Sequence, residues 1–207
     1  MRAATIVDGS LLVREHPDPS PGPGQILVRV RAAGINAADL IQVMGGYPAP
    51  PGVPADIPGL ELAGEVEAIG PAATRFAVGD RVMAVVGGGG QAELAVLHER
   101  EAMPVPSRLT WEQAGGLSEV FTTAHDALFT QCELSLGERV CVHGAAGGVG
   151  TAGVQLSAAT GASVIATVRN PDLRLAVEGL GATVIGAGAG GGAEVNLHVL
   201  MVKRARI

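Results

Sequence analysis

Aromatic residues are nearly absent from this 207-residue chain, which has one Trp, one Tyr and three Phe. Its core must therefore be built from Val, Ile, Leu and Ala. Hydrophobic residues make up 47% of the chain, enough to build one. Cysteine is scarce too: Cys132 and Cys141 stand in unrelated contexts, which excludes a disulfide framework or a C-x-x-C pair. Basic charge is in deficit, with 14 Lys and Arg against 20 Asp and Glu, and the net charge is −6. That balance excludes an electrostatic footprint for nucleic acid or an anionic membrane. The one basic cluster, Lys203-Arg204-Ala205-Arg206, reads as a solvated chain end. No run reaches the roughly 18 apolar residues of a membrane helix. Met1 to Asp8 lacks the apolar stretch of a signal peptide, so a cytoplasmic protein is expected.

Glycine (31) and proline (13) are abundant and fall between apolar runs, where they read as turns rather than disorder. Leu11–Arg14 and Gln25–Arg31 are expected strands flanking a Pro/Gly loop, and the second alternates apolar and polar as a half-buried strand does. Asn36 to Met44 predicts a short helix capped by Asn36 and closed by Gly45-Gly46. A loop follows from Tyr47, stiffened by Pro48, Pro50, Pro51, Pro54 and Pro58. Glu61–Ile69, Asp80–Val86 and Ala92–Leu97 are further strands, so the first hundred residues suggest a β-barrel-like unit with one or two short helices.

The texture changes near Pro106. Thr110 and Gln113 have the spacing of a capping box, and a longer helical segment runs from about Val120 to Gln131. Strand and helix then alternate: Arg139–His143, Gly148–Thr160, Ser163–Val168, Pro171–Gly179 and Ala182–Ile185. Such alternation marks a parallel α/β sheet. Two domains are expected, residues 1–107 and 108–207.

The decisive string is Val140-Cys141-Val142-His143-Gly144-Ala145-Ala146-Gly147-Gly148-Val149-Gly150. A strand, a turn of small residues and a helix start let a pyrophosphate approach backbone N–H groups at the positive end of a helix. A bare G-x-x-G-x-x-G is a weak motif, but the flanking strand and helix supply the context it needs. Gly144, Ala145, Ala146, Gly147, Gly148, Val149 and Gly150 are thus the candidate dinucleotide cradle. At the end of the next strand an NAD site needs an acid for the ribose 2′-hydroxyl. Here stand Arg169 and Asn170, which suit a 2′-phosphate, so NADPH is the expected cofactor.

With these residues placed, the chain resembles the zinc-free quinone oxidoreductases (zeta-crystallin-like) of the medium-chain dehydrogenase/reductase superfamily. The likeness rests on Ala33-Gly34-Ile35-Asn36-Ala37-Ala38-Asp39-Leu40, Gly46-Tyr47-Pro48, Pro58-Gly59-Leu60-Glu61-Leu62-Ala63-Gly64, Gly79-Asp80-Arg81-Val82 and the glycine turn itself. Gly59-Leu60-Glu61 and Gly88-Gly89-Gly90-Gln91-Ala92 look most like the tumour-suppressor-inducible NADPH quinone oxidoreductase subgroup. The resemblance implies a GroES-like catalytic domain followed by a Rossmann-type α/β cofactor domain. It also implies hydride transfer from NADPH to a quinone or similar electron-poor carbonyl. Asn36 and Tyr47 match residues lining the family's quinone pocket, and Thr123 matches its threonine near the nicotinamide; Asn36 reads equally well as a helix cap. Zinc relatives carry Cys and Gly-His-Glu where this chain has Asn36/Asp39 and Gly59-Leu60-Glu61, so no metal is expected. A small quinone-type molecule is the implied partner, with a homodimer as the assembly the resemblance admits.

The tail departs from the family. After Ala182 the domain is expected to continue through further strands. Instead, the string from Gly190 to Leu197, with Leu200 to Arg204, resembles the family's segment after its fifth cofactor-domain strand. An internal deletion near Ala182–Gly186 and a shortened C-terminus are the expectation, leaving an open sheet edge. Cofactor binding should then be weak unless a partner chain completes the sheet. Two other readings stand beside the reductase: a trans-2-enoyl thioester reductase on the same scaffold, and an inactive nucleotide-binding relative.

Overall fold

The computed structural model describes residues 1–186. The readings made on Gly190–Leu197, Leu200–Arg204 and the basic cluster at Lys203–Arg206 lie outside the described residues. The chain forms two compact units, Met1–Glu119 and a second beginning at Val120.

The first unit is built on antiparallel pairing. Strands β1 (Arg2–Val7) and β2 (Ser10–Glu15) form a hairpin, with Arg2 opposite Glu15 and Val7 opposite Ser10. A five-stranded sheet follows in the order β6-β3-β4-β5-β7. Its members are β3 (Gln25–Ala33), β4 (Glu61–Ile69), β5 (Arg81–Val85), β6 (Leu94–His98) and β7 (Ala102–Pro104). Register shifts at Leu27/Val28 and Val30/Ala32 interrupt the β3–β4 ladder, and such irregularities bend and twist a strand pair. A bridge between Ala3 and Ala92 and a bond from Ala4 N–H to the Gln91 carbonyl (2.9 Å) tie the hairpin to the segment before β6. The barrel-like unit expected from the sequence takes this form.

Its core is aliphatic, as the aromatic shortage requires. Ile26, Val28, Leu62, Val66, Val82, Ala84, Ala95 and Leu97 form one buried cluster. Helix α2 (Trp111–Gly115) seats Ala114 on a second with Ala63, Met83 and Val105. Thr110 caps α2 by accepting from Gln113 N–H (3.3 Å), while the Gln113 side chain accepts from Thr110 N–H (3.0 Å). The Arg81 guanidinium lies 4.2 Å from the Trp111 ring centre and donates to the Leu109 carbonyl (3.1 Å). These contacts hold residues after the composition change at Pro106 against the first unit, whose boundary falls after Glu119.

Between β3 and β4 lies α1 (Ala37–Val43), with Asn36 at its N-cap position. Helix α3 (Ser118–His125) continues into a π-helical turn, Asp126–Gln131, so the helical segment expected to Gln131 is present with a widened second half.

In the second unit three parallel strands take the order β10-β9-β8: β8 (Arg139–Val142), β9 (Ser163–Val168) and β10 (Ala182–Gly186). Helix α4 (Gly148–Ala159) packs on β8 and β9. A 3₁₀ turn (Pro171–Leu173) leads into α5 (Arg174–Glu178), which packs on β10. Val154, Val164, Ala166, Val168, Val177 and Val184 form the core under these helices. On the alternate positions Cys141, Ile165 and Ile185 are exposed.

Candidate functional site

The glycine turn sits where the sequence predicts, between the end of β8 and the start of α4. Gly144 has φ +65°, a left-handed conformation that L side chains adopt only at a cost. The Gly147 N–H donates back to the Gly144 carbonyl (2.9 Å), and the Ala145 N–H donates to the Thr167 carbonyl (3.0 Å), sewing the turn to β9. His143 Nδ1 and Thr167 Oγ1 lie 3.1 Å apart across the same pair of strands. A Cβ on Gly150 would stand 2.7 Å from Ala145 Cα and overlap the Gly144 carbonyl oxygen. Only glycine lets α4 approach the turn this closely.

The N–H groups of Gly148, Val149 and Gly150 occupy the first turn of α4, where no intrahelical carbonyl is available to them. Ala145 is buried, whereas Gly147, Gly148 and Val149 face solvent. Close backbone, free donors and the positive helix end together fit an anionic diphosphate.

Arg169 and Asn170 follow β9 directly. Asn170 Oδ1 accepts from the Asp172 N–H (3.0 Å), capping the 3₁₀ turn and leaving its amide N–H groups without a partner among the described residues. Arg169 is exposed and makes no ion pair among the described residues. Arg174, by contrast, is held by Glu178 at 2.9 Å. The acid that would suit a ribose 2′-hydroxyl is missing at the end of β9.

In the first unit the loop before α1 carries Asn36. Its backbone N–H donates to Asp39 Oδ2 (2.7 Å), the return half of a capping box, while Asp39 Oδ1 accepts from the Gly59 N–H (3.2 Å). Asp39 is buried and serves local structure. The Asn36 side chain is turned to Glu61: Nδ2 donates to Oε1 at 2.9 Å. Glu61 is 2% exposed and also accepts from the Glu119 N–H (2.9 Å).

In the sequence Glu61 begins a strand and closes the Gly59-Leu60-Glu61 string, which stands where zinc relatives carry Gly-His-Glu. The acid sits inside the otherwise apolar run Ile57–Ala63, and a buried carboxylate requires donors. That requirement was the available signal. Tyr47 lies in the loop beyond α1 and is exposed, as are the apolar side chains of Ile35, before α1, and of Leu40, Ile41 and Met44, along and after it; Ile35 and Met44 are 80% and 74% exposed. An apolar surface of this kind with a phenol at hand suits a flat, weakly polar molecule. Thr123 lies on α3 and is half-buried, and the nearby His125 ring packs tilted against Phe129 with ring centres 4.9 Å apart. Among the described residues no group of three or more His, Cys, Asp or Glu is arranged to hold a metal ion.

Comparison with known proteins places the chain in a family. Residues 22–130 match the alcohol dehydrogenase GroES-like domain. The chain is 41% identical over 160 residues to a quinone oxidoreductase from Pseudomonas aeruginosa, covering 77% of this chain and 49% of that protein. It is 43% identical over 144 residues to polyketide synthase GfsB from Streptomyces halstedii, covering 70% of this chain and 2% of the synthase. Among solved structures, an alcohol dehydrogenase superfamily protein from Novosphingobium aromaticivorans superposes with a TM-score of 0.83 at 36% identity, over 90% of this chain and 58% of that one. The CurK enoyl reductase gives 0.80 at 26%, over 89% and 59%. The chain thus spans about half the length of the quinone oxidoreductase it matches and a small fraction of the synthase.

Proposed function

The chain belongs to the alcohol dehydrogenase GroES-like domain family of the medium-chain dehydrogenase/reductase superfamily, and from that premise we propose that it is a zinc-independent oxidoreductase taking NADPH as its reductant and a quinone or similar electron-poor carbonyl as its acceptor. The observation that carries this reading is the cradle at Gly144–Gly150, followed at the end of β9 by an arginine that makes no ion pair among the described residues. When bound, the nicotinamide supplies the hydride.

This chain's own residues bind and orient. The N–H groups of Gly148, Val149 and Gly150 hold the pyrophosphate. Arg169 and the Asn170 amide pair with the 2′-phosphate, Arg169 in the two-pronged manner that phosphates favour. In the first unit the apolar surface around Tyr47 takes the flat face of the acceptor. The Asn36 amide and the Tyr47 hydroxyl are the groups that meet its oxygen, where negative charge grows during reduction. Thr123 orients the nicotinamide. A cytoplasmic location, a homodimer and membership of the tumour-suppressor-inducible subgroup complete the reading.

A second reading, reduction of an enoyl thioester, is favoured by the likeness to the CurK enoyl reductase. Stopped-flow oxidation of NADPH with ortho-quinones and with enoyl thioesters separates the two. Quinone-stimulated oxidation is expected, slower in Tyr47→Phe and with the preference for NADPH over NADH lost in Arg169→Ala. Nucleotide binding without stimulation by any acceptor would leave only the inactive nucleotide-binding relative.

A further inference from the structure

Glu61 opens β4 as a buried acid with no Lys, Arg or His in an ion pair with it among the described residues. Burying a carboxylate is costly unless each oxygen is hydrogen-bonded. Both are: Oε1 accepts from the Asn36 amide and Oε2 from the backbone N–H of Glu119, each at 2.9 Å. Glu119 lies in the first turn of α3, where the helix dipole favours negative charge. Gly34 closes the other side. A Cβ there would overlap the Glu61 carboxyl group, so the loop carrying Asn36 lies directly against it.

Two donors converge on this site, and only a carboxylate brings two acceptors. A glutamine has one carbonyl and one NH₂, so it cannot accept from both Asn36 and Glu119. The amide end facing Glu61 is Nδ2, so the Asn36 carbonyl points away from the carboxyl group. Glu61 thus holds the Nδ2 end of the Asn36 amide, at the residue that also caps α1.

We propose that Glu61 is a positioning residue, accepting one hydrogen of the Asn36 Nδ2 and so holding the amide with its other N–H free to donate to the acceptor's oxygen. This rests on the reading that Asn36 touches the acceptor. Its structural half, that Glu61 dictates the amide's orientation, stands independently and is tested independently.

The first measurement is the side-chain amide spectrum of protein labelled with ¹⁵N-asparagine, with the Asn36 signal identified by its loss in Asn36→Ala. Glu61→Gln is expected to move that signal, because the introduced NH₂ drives the Asn36 amide to turn over. Glu61→Asp, which keeps two acceptors, should restore it in part. An Asn36 signal unmoved in Glu61→Gln overturns the proposal.

The second measurement is kinetic. Glu61→Gln should lower kcat for quinone by roughly tenfold or more, as misplaced contacts do, with KM for NADPH unchanged. In an Asn36→Ala background it should lower kcat no further, because neighbours that act as one unit are not additive. Equal losses in both backgrounds mean a merely structural role and overturn the proposal. If Glu61→Gln does not fold, Glu61→Asp carries both measurements. Wild-type protein inert with quinones would sink the functional reading, and the amide spectrum would still decide what Glu61 does to Asn36.

Discussion

The two units solve the same problem, an aliphatic core with almost no aromatics, with unequal success. In the first, antiparallel strands bury Ile26, Val28, Leu62 and Val82 completely, and α2 adds a second cluster on the same sheet. In the second, α4 and α5 bury Val164, Ala166, Val168 and Val184, while the alternate positions Ile165 and Ile185 are 37% and 52% exposed. Parallel sheets are ordinarily covered on both faces. Among the described residues, the parallel sheet beside the glycine turn is thus less fully covered than the five-stranded sheet that carries Glu61.

The strongest way to break this comparison is to truncate matched residues. Leu62→Ala should cost about 2–5 kcal/mol, the usual price of a large-to-small change in a packed core. Ile165→Ala should stay within about 0.5 kcal/mol, as exposed sites do. Denaturant unfolding measures both. An Ile165→Ala cost approaching that of Leu62→Ala would mean the outer face of β9 is covered in solution.

A smaller effect separates cradle from core. Gly150→Val should weaken NADPH binding by roughly a hundredfold, since its side chain must displace the backbone of the pyrophosphate turn. Hydrogen exchange of the β3 and β4 amides should be unchanged. Loss of protection in those strands would show that the units do not respond separately.

The smallest effect sharpens the account of the first unit's edge. Glu93 accepts from the Arg2 backbone N–H (2.8 Å) and side chain (2.7 Å), and these bonds hold its carboxyl below the ordinary range. A lowered folded pKa contributes stability above the unfolded carboxylate value, which is lost as pH falls through the folded one. Wild-type Tm should therefore fall more steeply than that of Glu93→Gln below about pH 4. Because the pair is exposed the difference will be slight, and parallel curves would remove it altogether.

Much of this organisation was legible in the residues. Glu61–Ile69 and Ser163–Val168 emerge as strands with the expected ends, because apolar runs bounded by glycine or turn residues leave little choice. The Thr110/Gln113 cap and the glycine turn are equally local, and local chemistry is readable. Strand β1 was not placed: Ala3 and Ala4 have little β preference and gain their order from β2 and the Gln91–Ala92 segment. The three-residue strand β7 ends on Pro104 and exists by pairing with β5. The π-helical turn at Asp126–Gln131 has no sequence period of its own. Glu61 could be suspected from its apolar neighbours, but its partners could not, since they come from segments that only the fold brings together.

The contacts of Glu61 also constrain how the molecule assembles. The two bonds of Glu61 span 25 and 58 residues of chain, far beyond the reach of a hairpin or a helical turn. Long closures must be made before such contacts return any free energy. The capping bond from the Asn36 N–H to Asp39 spans three residues and can form early. During refolding, α1 should therefore be started before Asn36 is aimed. The orientation of its amide then belongs among the last events, completed only when β4 and the first turn of α3 have come to rest on the same carboxylate.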